Sequence, residues 1–341
     1  MRLFKKNKKL KLFNINDYVI DTSKFNHLLH GSVEEELEDR FAEYVGAKYA
    51  CVASSASNLI YLSMISILGI PEEILKKNPV KIPSMIPIVV PNIIHNIGVP
   101  CCWTNDCDWV GSAYTLYDTE KAFEEMSLES DQEYNAFKII DSAQEVTKNQ
   151  FSEQAEDGDL MIFSLYPTKP VGGMDGGIIV SNSKAKIDWF RTASHLGISN
   201  VEMSAGSWQR TLAFPGWKMH PNSSQCYVAL ENLKKLDAKN KRLSHIREKY
   251  NEAFSLKNNS CHLYRIEVED RDRFSKKMRE SNIETGIHYL PAHMYSFYDI
   301  KIVEDMSETE LKSMSTVSIP FNESLTERNV DFIIRKIKEV L

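Results

Sequence analysis

The chain has 341 residues, 43% of them hydrophobic, enough for one large domain with a smaller one or for two moderate domains. Its 41 Lys and Arg against 47 Asp and Glu leave a formal net charge of -6, which argues against a general nucleic-acid binder; a mean hydropathy of -0.34 indicates a soluble chain. The most apolar stretch, residues 82–99, is interrupted by Pro83, Pro87 and Pro91 and carries His95, so it is expected in a core and not in a membrane.

Residues 1–11 are locally basic, with no long apolar run behind them, so no signal peptide is expected. They read as a solvated tail, with an anionic partner as the sharper alternative. Ser32 is the expected cap of the first helix, with Glu35 completing a capping box. Val33, Leu37, Phe41, Tyr44 and Val45 recur at helical spacing, and Gly46 ends the run. A strand over 47–53 leads into the small-residue turn Ser54-Ser55-Ala56-Ser57, and an apolar helix over 58–68 closes at Gly69. A strand at 80–83, a helix to Ile97 and a strand at 99–103 follow. Three short apolar strands are expected at 137–141, 160–164 and 177–180.

Strands alternating with helices imply parallel βαβ units: an α/β fold with a mostly parallel central sheet covered on both faces. The character changes near residue 220. A long charged helix over 225–254 is followed by strands at 261–266 and 283–288 and a last helix over 326–341, a smaller α+β domain. The expected division is therefore 1–224, the large domain with its N-terminal arm, and 225–341. Cys51, Cys101, Cys102, Cys107, Cys226 and Cys261 show no CxxC pairing, so reduced thiols in the cytoplasm are expected, without a metal site.

The residues that carry chemistry fall in a distinctive order. Asp141 ends an apolar strand, where ligands of open α/β sheets bind. Ser164 ends another, Lys169 follows in a loop, and Gly172, Gly173, Gly176 and Gly177 permit close backbone approach. A loop amine can bond an aldehyde cofactor, and an acid can hold a pyridine nitrogen protonated, so this order fits a pyridoxal 5′-phosphate (PLP) site. The turn Ser55-Ala56-Ser57 opens a helix whose free N–H groups suit a phosphate, although such turns also cap many ordinary helices. Gln144 is placed to reach the ring hydroxyl. His195, His288 and His293 are candidates for substrate contact or for ordinary hydrogen-bonded roles. Arg191 and Arg210 are candidate carboxylate or diphosphate partners, or surface charge.

These motifs, taken in order, resemble the DegT/DnrJ/EryC1/StrS aminotransferases, the sugar aminotransferase branch of fold-type I PLP enzymes. The resemblance runs nearly end to end. Leu37 to Gly46 is similar to the family's opening helix, Ser54-Ser55-Ala56-Ser57 to its Ser-Ser-Gly-Thr phosphate turn, and Asp141-Ser142-Ala143-Gln144 to its Asp-x-Ala-Gln. Ser164 to Lys169 resembles its Ser-Phe-x-x-x-Lys, and His288-Tyr289-Leu290-Pro291-Ala292-His293 its His-Tyr-x-Pro-x-His. The resemblance implies Ser164 on the cofactor phosphate, Lys169 as the aldimine lysine, and a homodimer with shared active sites. It also implies amino transfer from an amino acid, glutamate foremost, to a nucleotide-linked keto-sugar in polysaccharide biosynthesis.

Two departures stand out. Pro87 occupies the place of the family's aromatic ring over the cofactor, which would substitute an aliphatic lid. Beyond Gly216-Trp217-Lys218 the family's Tyr-Asn-Met-Thr-Asp, a loop that in the family reaches a neighbouring subunit's phosphate, is replaced by Met219-His220-Pro221-Asn222-Ser223, with Lys218 keeping a positive donor. Two alternatives remain open from the sequence: a PLP-dependent sugar dehydratase, which Lys169 disfavours because those relatives carry histidine there, and a non-catalytic PLP-binding or regulatory homologue.

Overall fold

The computed structural model describes residues 9–15, 18, 20–29, 31–130, 133–199 and 210–341; most of the basic start, residues 1–8, lies outside the described residues. The first helix, Ser32–Val45, starts at the residue expected to cap it, so its cap falls one residue earlier. Gly31 is the N-cap and Glu34 accepts its N–H at 3.0 Å, while the Ser32 N–H is already taken by Asn26 Oδ1. Gly46 ends the helix at φ 77°, a left-handed position that glycine adopts without penalty.

Among the described residues ten strands follow in chain order: β1 (Tyr49–Ala53), β2 (Val80–Pro83), β3 (Cys101–Thr104), β4 (Tyr114–Asp118), β5 (Lys138–Asp141), β6 (Leu160–Ser164), β7 (Gly177–Ser181), β8 (Tyr264–Glu267), β9 (Lys301–Ile302) and β10 (Thr316–Ile319). The main sheet has the order β1-β7-β6-β5-β4. Within it β1, β5 and β6 share one direction, and β7 and β4 run against them. A second sheet, β2-β3-β9, is wholly parallel, and β8 pairs antiparallel with β10. The expected α/β architecture is present, a central sheet with most strands running one way and helices on both sides.

The strand period of two divides the core. Ile139, Leu160, Ile162 and Ile179 face one apolar cluster, with Leu59 and Leu62 of the helix Ala56–Ser66 and Phe190 of the helix Lys184–Ser194. Their chain neighbours Ile140, Met161, Phe163, Ile178 and Val180 face the other, with Leu37 and Phe41 of the first helix and Leu230 of the helix Ser223–Leu233. Each strand is buried on both sides, which is why β5, β6 and β7 read as continuous apolar runs. A third cluster is built from residues beyond Leu243, where Tyr264 and Ile266 of β8 and Val317 and Ile319 of β10 meet Val330, Ile333 and Ile337 of the last helix, Glu327–Lys338.

The structure corrects several expected elements. The charged stretch after 224 is two helices, Ser223–Leu233 and Leu236–Phe254, and the break at Lys234–Lys235 lets both Leu233 and Leu236 stay in the second cluster. Residues 283–288 form no strand. Their backbone partners are divided between two places: Glu284 N–H donates to Leu10, and Gly286 exchanges both hydrogen bonds with Ser318. Strands β4, β9 and β10 were not anticipated. No helix among the described residues is long and apolar enough to cross a membrane, and the six cysteines are free thiols, all but Cys101 buried.

Arg191, a candidate ligand partner by sequence, is committed elsewhere. Its guanidinium lies 2.7 Å from the Glu38 carboxylate and donates to Ala50 O at 2.9 Å, while Glu38 also accepts the Val52 N–H at 2.8 Å. The pair ties the first helix and the helix Lys184–Ser194 to β1. Removing one member strands the other charge in the interior. Arg191→Ala is therefore expected to cost about 3 kcal/mol in urea unfolding, and adding Glu38→Gln should recover part of it. A loss below about 0.5 kcal/mol, the range of an exposed pair, would refute the assignment.

Candidate active site

Asp141 closes β5, and the pairing with β4 makes Tyr114 its direct neighbour across the sheet. Directly opposed residues project to the same face, and the Tyr114 hydroxyl donates to Asp141 Oδ2 at 3.1 Å. The Ala143 N–H donates to Oδ1 at 2.9 Å. Only 5% of Asp141 is exposed. Burial pushes its carboxyl above the usual range, against the pull of the Ala143 N–H, the Lys169 amine and the Tyr114 hydroxyl.

Lys169 stands in the loop between β6 and β7. Its N–H donates to Tyr166 O at 2.9 Å, and Gly173 N–H returns to Leu165 O at 2.6 Å. Gly172 turns the chain at φ 61°, where an added Cβ would lie 2.9 Å from Pro167 O. These ties fix a half-buried lysine within electrostatic reach of Asp141. Burial pulls its amine down to about 8, and the Asp141 charge opposes that shift.

Around this pair stand His262, which the sequence left unassigned, and His288 and Gln144, which it had singled out. His262, 6% exposed, is driven well below its ordinary value by burial and by the charges of Lys169, His288 and Lys239. His288 is pulled to about 4 by burial, Lys169 and Arg265, and its Nδ1 pairs with Ser318 Oγ at 2.8 Å. Gln144 donates to the Tyr289 hydroxyl at 3.3 Å and accepts the Gly111 N–H at 3.0 Å. The site thus gathers Tyr114, Asp141, Gln144, Lys169, His262, His288 and Tyr289. Alternation in Tyr114-Thr115-Leu116 was the available signal for β4, and His262 had none beyond its place before a strand.

A second feature lies at the start of the helix Ala56–Ser66. Ser55 caps it, accepting the Asn58 N–H at 3.2 Å, while the N–H groups of Ala56 and Ser57 have no partner among the described residues. Ser164 is the register partner of Gly177. A Cβ on Gly177 would sit 2.3 Å from Ala56 N, so only glycine lets β7 approach this turn. The Ser54 N–H donates to Met219 O at 2.7 Å, which brings the exposed Lys218 beside the same turn.

The remaining expected residues have the following partners and surroundings. His293 has both ring nitrogens engaged, with Ser84 Oγ at 2.6 Å and Glu310 at 3.1 Å, so it is a structural link and offers no nitrogen to a ligand. His195 caps the helix Lys184–Ser194 with its ring nitrogen on Arg191 O at 2.8 Å, and its backbone bridges Lys218. Pro87 precedes the helix Val89–Ile97, two residues past Met85, which bridges Pro291. Arg210 is exposed. No group of His, Cys, Asp and Glu among the described residues is placed to hold a metal ion.

A model of the DegT/DnrJ/EryC1/StrS aminotransferase family matches residues 131–338, which is 208 of the 341 residues. The spore coat polysaccharide biosynthesis protein SpsC of Bacillus subtilis is 24% identical, with 95% of this chain and 93% of that protein covered. The UDP-4-amino-4,6-dideoxy-N-acetyl-beta-L-altrosamine transaminase of Campylobacter jejuni is likewise 24% identical, with 94% of each covered. Among solved structures, the sugar aminotransferase CalS13 from Micromonospora echinospora superposes with a TM-score of 0.75 at 16% identity, covering 97% of this chain and all of the other. The shared fold is that of these aminotransferases.

An amine with a pKa of about 8 is mostly neutral just above that pH. The rate at which cofactor-free protein captures pyridoxal at Lys169, trapped with borohydride and mapped to its peptide, should rise through pH 8 and then level off. Asp141 holds the lysine's value up, so Asp141→Asn should move that rise to lower pH. A rise near 10.5 in the parent would place Lys169 in ordinary solvent.

Proposed function

We propose a reaction for this protein from one premise: the chain belongs to the DegT/DnrJ/EryC1/StrS aminotransferase family. It moves an amino group from an amino acid, with glutamate as donor, to a nucleotide-linked keto-sugar, using PLP. The working unit is a cytoplasmic homodimer. The observation that carries this reading is a buried carboxylate, Asp141, held by Tyr114 and Ala143 within electrostatic reach of a loop lysine whose amine is lowered to about 8. The Campylobacter relative, a transaminase of a UDP-linked amino sugar, and the Bacillus relative, a polysaccharide biosynthesis protein, support the choice of acceptor.

The donor set fits the cofactor. Two unpartnered helix N–H groups, Ser164 and Lys218 surround a turn suited to its phosphate. Asp141 would face its ring nitrogen, Gln144 its hydroxyl, and Lys169 would carry the covalent bond. When bound, PLP supplies an electron sink that makes the donor's α-proton acidic.

The chain's own residues supply the rest. With the cofactor held there, Lys169 Nζ would be the nearby base, and its value near 8 would let it take up and give back a proton at ordinary pH. The Tyr114 hydroxyl and the Ala143 N–H favour the charged form of Asp141. His262 and His288 stay neutral at working pH, so they add no repulsion toward an incoming ammonium group.

Purified protein supplied with PLP should show a visible absorption band that glutamate bleaches and a nucleotide keto-sugar restores. Lys169→Ala should abolish turnover, and Asp141→Asn should lower it by about 10²-fold or more. A protein without the band, or a Lys169→Ala variant with parental turnover, would sink this reading.

A further inference from the structure

His288 and His293 each place a ring nitrogen on a buried serine. His288 Nδ1 lies 2.8 Å from Ser318 Oγ, and Ser318 belongs to β10 of the small sheet. His293 Nδ1 lies 2.6 Å from Ser84 Oγ, and Ser84 follows β2 directly. The chain from 288 to 293 is therefore a strap between two sheets, fastened at each end by a serine.

The far fastening is a closed network. A carboxylate only accepts, so Glu310, 3.1 Å from His293 Nε2, assigns the ring proton to that nitrogen. Nδ1 is then bare and takes the Ser84 hydroxyl, while Ser84 Oγ accepts the His293 N–H at 3.2 Å. Both ring nitrogens are spent, and a fully satisfied buried network is rigid. The Ala292 N–H adds one bond to Ser84 O at 2.8 Å. Between the fastenings, the N–H groups of Tyr289 and Leu290 have no partner among the described residues, so little but the two ends holds this stretch. Tyr289 is what the strap delivers to the site. Its hydroxyl accepts from Gln144 at 3.3 Å, and its ring stands at 89° to that of His288 with centroids 5.1 Å apart.

We propose that His293 is a positioning residue: with Ser84 it fixes the far end of the strap, and so sets Tyr289 against Gln144 and across His288. This deepens the reaction proposed above, and rests on it only for the kinetic arm of the test. Without the imidazole, the Ser84 hydroxyl loses its acceptor and the strap's end is left to one backbone bond. Tyr289 then moves off His288, and water reaches a ring that only Phe13, edge-on with centroids 6.0 Å apart, still covers.

The readout is the His288 ring in cofactor-free protein, followed by proton NMR and assigned by its loss in His288→Gln. Burial, then Lys169 and Arg265, hold it at about 4 in the parent. His293→Ala should raise it by about one pH unit toward the ordinary 6.5, because water relieves the burial. His293→Asn offers a carbonyl oxygen to the Ser84 hydroxyl and should keep the value near the parent's. Ser84→Ala removes only the hydroxyl and should act like His293→Ala; it carries the test if that variant does not fold. Arg191→Ala, which weakens the fold elsewhere, should leave His288 at about 4.

In PLP-loaded protein, bleaching by glutamate should slow about tenfold in His293→Ala and recover in His293→Asn. If the parent does not bleach, the reaction reading fails and the titration still decides the role of the strap. A His288 value unchanged in both His293→Ala and Ser84→Ala, or one that Arg191→Ala raises equally, overturns the proposal.

Discussion

Everything at this site follows from placing a carboxylate and an amine together out of bulk water. Neither group tolerates burial alone, since removing an ion from water costs several kcal/mol even after the protein relaxes. The two attract, but burial prevails over that attraction for both: the amine of Lys169 still falls to about 8, and the carboxyl of Asp141 still rises. That outcome is chemically useful. A lysine as basic as one in water would stay protonated, and one with no anion nearby would be driven lower still. The compromise leaves a nucleophile at ordinary pH.

Holding the compromise requires specific supports. Asp141 keeps two hydrogen-bond donors, one from its own turn and one from Tyr114 across β4. The Tyr114 contact exists only because β4 runs antiparallel to β5 in a register that sets the two residues opposite each other. On the amine side, the loop is pinned at Leu165 by Gly173 and Gly176, so Lys169 cannot swing freely to solvent. Gly177, at the other end of the same loop, must be glycine for a different reason: the helix start at Ala56 leaves no room for a side chain. One loop therefore joins the amine to the anion-binding turn.

How legible this was depended on the range of the signal. Strands β5, β6 and β7 were visible because burial on both faces makes them unbroken apolar runs, and Asp141, Ser164 and Lys169 were visible as punctuation at their ends. The cap at Gly31 and the break at Lys234–Lys235 turn on single hydrogen bonds and on which cluster receives Leu236, which helical periodicity does not encode. Tyr114 and His262 reach the site from 27 residues before Asp141 and from the other side of the small sheet. Their roles depend on pairing and on domain packing, and no local pattern announces either. His293 shows the converse: its motif pointed to substrate, yet Ser84 and Glu310 occupy both of its nitrogens.

The charge inventory of the cavity gives these pieces a common sense. Lys169 acts on the buried acid and on both histidines, Arg265 acts on His288 and Lys239 on His262, and Lys239 is spent on the carbonyl of Pro170. His262 and His288 answer the surplus by staying neutral, each pushed down by Lys169 as well as by burial.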